Sequence, residues 1–135
     1  MDSYVLDTHA WVWQLVYPAK LGKAALGVLQ AADRGEVQVL IPAVVLAEFL
    51  MIAEKQRVPG LTKPVAESVI DQVHRHPGYV LTSLTPDVVM ASRVNVAIPD
   101  IFDRLIATEA QRAGLPLLTC DPLIVGAGVA EVVWG

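Results

Sequence analysis

The chain has 135 residues, of which 54% are hydrophobic and 18% charged, and a formal net charge of −4. That length suits one domain over residues 1–135 and is too short for two, and so apolar a composition excludes disorder over any long stretch. The acidic balance excludes gripping nucleic acid by bulk electrostatics, so any action on nucleic acid has to rest on a local site.

The N-terminus reaches Asp2 at once, with no basic region leading into an apolar segment, and the cytoplasm is the expected location. Tyr4-Val5-Leu6 reads as a short strand ending at Asp7-Thr8, a pair able to cap a helix over Ala10 to Val16. Leu21, Ala24, Ala25, Val28, Leu29 and Ala32 recur at helical spacing, with Gly35 as the stop. Val37 to Ile41 is β-branched and brief, and Pro42 opens a helix predicted from Ala43 to Arg57. The apolar run Val39 to Ala47 is broken by Pro42 and followed by Glu48, well short of the roughly 18 to 20 residues a membrane span needs.

Lys63 to His76 places Val65, Val69, Ile70 and Val73 on one helical face, closed by Pro77-Gly78. A third strand follows over Tyr79 to Leu84. Thr85-Pro86-Asp87 then supplies cap, first-turn proline and first-turn acid for a helix to about Val94. A loop over Asn95 to Pro99 precedes a helix from Ile101 to Ala113, ended by Gly114. Pro116 to Cys120 is a fourth strand and Ala130 to Trp134 a candidate fifth. Cys120, the single cysteine, excludes an intramolecular disulfide and reads as a small core residue. Continuously apolar strands separated by helices indicate an α/β fold, a single domain with a central parallel sheet of four to five strands and helices on both faces.

In open parallel sheets ligands bind beyond the carboxyl ends of the strands, where Asp7 and Asp121 both fall. Each also reads as a helix cap, Asp121 standing before Pro122. Asp100 and Asp103 resemble a capping box at the start of the helix from Ile101. Glu48 resists that account. It has five apolar neighbours on each side, so it is expected to be at least partly buried, and a buried carboxylate without a partner costs several kcal/mol. Lys55 and Arg57 stand seven and nine positions away, beyond helical pairing distance. A distant arginine, a solvent-facing Glu48 or a cation remain the alternatives. A hard divalent cation such as Mg²⁺ accepts carboxylate oxygens, and an acidic cluster holding one can hydrolyse a phosphodiester with metal-activated water and no side-chain nucleophile.

In these residues the chain resembles the PIN domain family, and within it the VapC-type toxin ribonucleases. The similarity runs from Tyr4-Val5-Leu6-Asp7-Thr8-His9-Ala10 through Ile41-Pro42-Ala43 to Ala47-Glu48, then Asp100-Ile101-Phe102-Asp103-Arg104-Leu105-Ile106-Ala107, Pro116 to Asp121, and Val132-Val133-Trp134. The resemblance implies that Asp7, Glu48, Asp100 and Asp103 are the catalytic acids of a Mg²⁺- or Mn²⁺-dependent endoribonuclease. It makes Asp7 and Asp100 direct metal ligands, with Thr119 and Asp121 contacting a second metal or orienting water beside Thr8. Arg104 matches a family position where it would pair with a carboxylate or touch RNA phosphate. Ile101 stands where proline is frequent in relatives. An antitoxin partner and a homodimer are also implied.

His9, Trp11, Trp13 and Trp134 read as packing residues, although a tryptophan can stack a base. His74 and His76 would be favourable, when protonated, at a helix C-terminus. The rival readings are an aspartyl-phosphate-type phosphatase with Asp7 as nucleophile, which wants a second acid where His9 stands, and a non-catalytic module that binds RNA or a protein.

Overall fold

The computed structural model describes all 135 residues, Met1–Gly135. Five strands, β1 (Ser3–Leu6), β2 (Gln38–Pro42), β3 (Tyr79–Thr82), β4 (Leu117–Leu118) and β5 (Val132–Val133), form one sheet in the order β3-β2-β1-β4-β5. Every neighbouring pair is parallel, with Val5 beside both Leu40 and Leu117, and Leu6 beside Leu118. Seven α-helices connect or flank the strands: α1 (Thr8–Val16), α2 (Lys23–Asp33), α3 (Ala43–Glu54), α4 (Lys63–Arg75), α5 (Pro86–Ser92), α6 (Ile101–Ala113) and α7 (Pro122–Ala127). The consecutive residues Val5 and Leu6 point to opposite faces and are both fully buried, as are Leu117 and Leu118, so the middle of the sheet is covered on both sides. Trp11 of α1 stacks on Phe49 of α3 at 3.9 Å between ring centroids, joining the two helices.

The predicted elements are all present, and their ends differ for identifiable reasons. α2 begins at Lys23, not Leu21, because Gly22 is its N-cap and the Ala25 N–H donates to the carbonyl of Trp134, a cap supplied from the far end of the chain. α3 stops at Glu54, short of Arg57. Gln56 adopts a left-handed φ of 51° and the Arg57 N–H returns to the Ile52 carbonyl, a Schellman ending built without glycine. β3 ends at Thr82, opposite the last residue of β2, Pro42, so nothing remains for Ser83 and Leu84 to pair with. On α4 the buried positions are Ala66 and Val73, and Val65 faces outward. α7, started by Asp121 and Pro122, turns the cap reading of Asp121 into a full helix.

Strand numbering runs outward from β1 to β3 on one side and from β4 to β5 on the other. The winding therefore reverses between β1 and β4, and a crevice opens at their carboxyl ends.

Candidate active site

Asp7 lies at that reversal, immediately after β1, and is only 4% exposed. As the N-cap of α1 it accepts the Thr8 N–H at 2.7 Å, and its other oxygen accepts the Thr119 hydroxyl at 2.6 Å. Thr119, fully buried after β4, also accepts the Asp121 N–H at 3.1 Å. One hydroxyl thus locks the acids following two adjacent strands to each other. Burial raises the Asp7 pKa, with a small push from Glu48, while the Thr119 and Thr8 hydrogen bonds and His9 oppose the rise.

Asp100 is the N-cap of α6 and accepts the Asp103 N–H at 3.1 Å. Arg104 forms no ion pair with a carboxylate. Its guanidinium donates to the carbonyls of Ile98 at 2.8 Å and Pro99 at 3.5 Å, clasping the loop that delivers Asp100. Asn95, buried in the same loop, donates to Thr108 at 2.8 Å and Gln111 at 3.2 Å of α6. The position of Asp100 is therefore set from both sides of the loop. Asp121 caps α7 through Leu123 N–H at 2.8 Å and Ile124 N–H at 3.3 Å. Asp7, Asp100 and Asp121 each form the suggested cap, whereas Asp103 supplies only its N–H and the capping box stays half made. The same acids still come near one another, as the charges acting on Asp103 show.

Their proximity is visible in Asp103. Its carboxyl is pushed up to about 7, first by burial and then by the negative charges of Asp7, Asp100, Asp121 and Glu48. Four separate segments, after β1, on α3, at the start of α6 and after β4, thus place carboxylates within mutual influence. Glu48 is half-buried, has no salt-bridge partner, and its Oε1 is fully buried without a hydrogen bond. No arginine reaches that atom, and the atom itself is shut off from solvent although the residue is half-exposed.

No three side chains of His, Cys, Asp or Glu stand contracted into a finished coordination sphere. Like charges repel, and Asp7 and Asp121 spend oxygens on helix caps. Mg²⁺ does not need such a cage, because it keeps several waters and takes one or two carboxylates at a time. An orphaned buried carboxylate oxygen beside a carboxyl that retains its proton near neutrality is a donor set short of positive charge, and it fits a hard divalent cation.

Cys120 is exposed, contrary to the core position its sequence neighbours suggested. Strand pairing ends at Leu118 and Thr119 turns inward to Asp7, so the next side chain faces out. Beside it lies a cavity of about 210 Å³ lined by Asp7, His9, Ala10, Trp13, Cys120, Asp121, Pro122 and Trp134. The sequence reading left these aromatic residues as packing. His9 and Trp13 are four apart on α1 and share a face, which was the one available signal; that Trp134 meets them depends on β5. His76 is the C-cap residue of α4; its Nδ1 accepts the Gly78 N–H at 2.9 Å and its Nε2 lies 3.1 Å from the Asp33 carbonyl oxygen.

The PIN domain family model matches residues 4–125. No curated protein is significantly similar to the chain in sequence. Among solved structures, the VapBC2 complex of Rickettsia felis bound to a DNA fragment from its promoter matches with a TM-score of 0.74 at 16% identity, covering 98% of this chain and 99% of the other. FitAcB from Neisseria gonorrhoeae matches with a TM-score of 0.65 at 15% identity, covering 96% and 95%. A toxin–antitoxin complex from Klebsiella pneumoniae matches with a TM-score of 0.63 at 15% identity, covering 94% of each chain.

Proposed function

The chain belongs to the PIN domain family, and from that premise we propose that it is a metal-dependent endoribonuclease, the toxin of a VapC-type toxin–antitoxin pair acting in the cytoplasm. The observation that carries this reading is Glu48 Oε1, buried and unpartnered within a group of carboxylates drawn from separate elements. Glu48, Asp103, Asp100 and Asp7 would hold Mg²⁺ or Mn²⁺, with Asp121 at the edge of the set. A divalent cation supplies a more acidic water as nucleophile and stabilises charge on the phosphate and the leaving oxygen.

The protein's own contribution is to hold these groups apart and aimed. Thr119 donates to Asp7 and accepts from the Asp121 N–H, fixing two carboxylates with one hydroxyl. Thr8 contributes its N–H to Asp7, and its buried hydroxyl has no partner of its own, leaving a donor free beside the site. Asp103 holds a proton near neutral pH and yields it when positive charge is supplied beside it. The loop clasp by Arg104 keeps Asp100 in place while its carboxylate is engaged.

An antitoxin partner is supported by the similar structures, one of which is described as a toxin–antitoxin complex and another as VapBC2. The phosphatase reading is disfavoured because His9 stands two residues after Asp7, where that reading wants a second acid.

Cleavage of RNA by the purified protein with Mg²⁺, Mn²⁺ or chelator tests the proposal. Cleavage is expected only with metal, and Asp7→Asn and Asp100→Asn should each lower it at least about a hundredfold. Equal cleavage by these variants would sink the site assignment. RNA binding without turnover would favour the non-catalytic module, and metal-dependent hydrolysis of small phosphate monoesters alone would favour the phosphatase.

A further inference from the structure

Carboxylates and a metal can attack any phosphodiester, so selection of a particular RNA position requires a surface beside them that recognises a base. We propose that the cavity bounded by His9, Trp13 and Trp134 next to Asp7 is a nucleobase subsite that seats the base of a nucleotide adjoining the cleaved bond. This rests on the ribonuclease reading.

The cavity, about 210 Å³, is smaller than a pocket for a drug-sized ligand, which starts at about 300 Å³. It suits one planar ring system, with the sugar and phosphate left outside toward the carboxylates. Trp13 and Trp134 meet nearly edge to face, 5.9 Å between centroids at 67°, and form a corner of two flat walls. The His9 ring stands 6.0 Å from Trp13, at the exposed mouth. A ring laid on one indole meets the edge of the other, the arrangement aromatic quadrupoles favour. The indole N–H groups and the imidazole are of the types that read base edges. Asp7 and Asp121 line the same cavity, so a base held there leaves its phosphate beside the proposed metal ligands.

The corner is built in advance. Trp134 is held by its carbonyl, which accepts the Ala25 N–H at 2.9 Å, and it packs so closely on Gly22 that a Cβ there would lie 2.1 Å from that carbonyl oxygen and 2.6 Å from the indole. Lys20 places its ammonium over the rings of Trp13 and Tyr17, 5.5 Å and 5.1 Å from their centroids, so one wall residue of the cavity carries a positive charge against its ring. A polyanion approaching a chain of net charge −4 needs such a local cation.

The test titrates the full chain with each of the four nucleoside 5′-monophosphates, followed by tryptophan fluorescence, with inorganic phosphate and free arginine as controls. RNA cleavage is measured in parallel for wild type, His9→Ala, Trp13→Leu, Trp13→Phe and Gly22→Ala. Nucleotides should quench and the controls should not. KM should rise about 5- to 100-fold in His9→Ala and Trp13→Leu, as expected for one lost base stack, with kcat little changed, base preference next to the cut relaxed, and Trp13→Phe restoring much of both. Gly22→Ala should reproduce the effect by displacing Trp134. His9 is exposed, so its variant keeps the fold even if the tryptophan variants do not. RNA cleavage with unchanged KM and base preference across the variants would overturn the subsite while leaving the ribonuclease reading intact. Quenching by arginine but not by nucleotides would overturn it in favour of a protein segment. Nucleotide quenching that His9→Ala removes, in a protein that cleaves no RNA, would uphold the subsite and sink the ribonuclease reading instead.

Discussion

Asp103 shows how a site can be held at a cost to the fold. Its carboxyl titrates near 7 in the folded chain against 3.8 when free, because burial and four neighbouring acids oppose its charge. A group whose folded pKa is raised favours the folded state most below its unfolded pKa, and that contribution is lost as pH rises through the folded value. The metal-free protein is therefore expected to lose stability between about pH 4 and pH 7. Asp103→Asn should flatten that slope and gain about 1 to 2 kcal/mol at pH 8, a value discounted for solvent screening of a half-buried group. Denaturant unfolding at pH 5 and pH 8 measures it; an unchanged slope in the variant would show that other groups set the pH dependence. Thr119→Val acts in the opposite direction. It leaves a buried Asp7 oxygen without its donor, and a loss of about 1 to 3 kcal/mol is expected in the same assay.

The elements are joined at a few close approaches. Gly78, just before β3, packs on the end of α2 so tightly that a Cβ would lie 1.9 Å from the Ala32 carbonyl oxygen. Tyr79 then donates to Asp33 at 2.5 Å and accepts from Gln14 at 3.0 Å, tying β3 to α2 and α1. Gly78→Ala should push β3 away from α2 and cost at least about 2 kcal/mol, read as a lower denaturation midpoint. If the midpoint holds, the backbone there is free to shift. Tyr79→Phe removes only the polar links and should cost about 1 kcal/mol.

At the scale of the molecule, no helix is long and apolar enough to cross a membrane, yet Val89, Met90, Val94, Val96 and Ile101 are exposed on α5, the following loop and the start of α6, Val94 at 73% and Val96 at 67%. These exposed apolar side chains are where the homodimer implied by the family resemblance is tested. Val94→Glu combined with Val96→Glu should shift sedimentation toward the monomer, and a wild type that sediments as a monomer at high concentration would rule that face out. The proposed metal binding is also tested on the whole molecule. A cation held only by the folded chain stabilises it by mass action, about 2.7 kcal/mol at a hundred times its Kd, so Mn²⁺ should raise the Tm of wild type and much less that of Glu48→Gln.

The sequence by itself determined which elements form and the α/β class, because apolar strands, caps and breakers are local signals: Gly114 ends α6 and Thr85-Pro86 starts α5 as read. It also singled out Glu48, since ten apolar neighbours leave a carboxylate little access to water wherever the helix packs. It could not place the end of α3, closed by a left-handed glutamine, nor the start of α2, capped by a carbonyl from β5's end of the chain. Tertiary structure alone decided that β4 lies beside β1, which brings Thr119 to Asp7 across 112 residues and turns acids that each cap a helix into one crevice. The same pairing carries β5 beside β4 and so brings Trp134 to Trp13. Strand order is a choice among packings of equally apolar strands, and no local pattern encodes it.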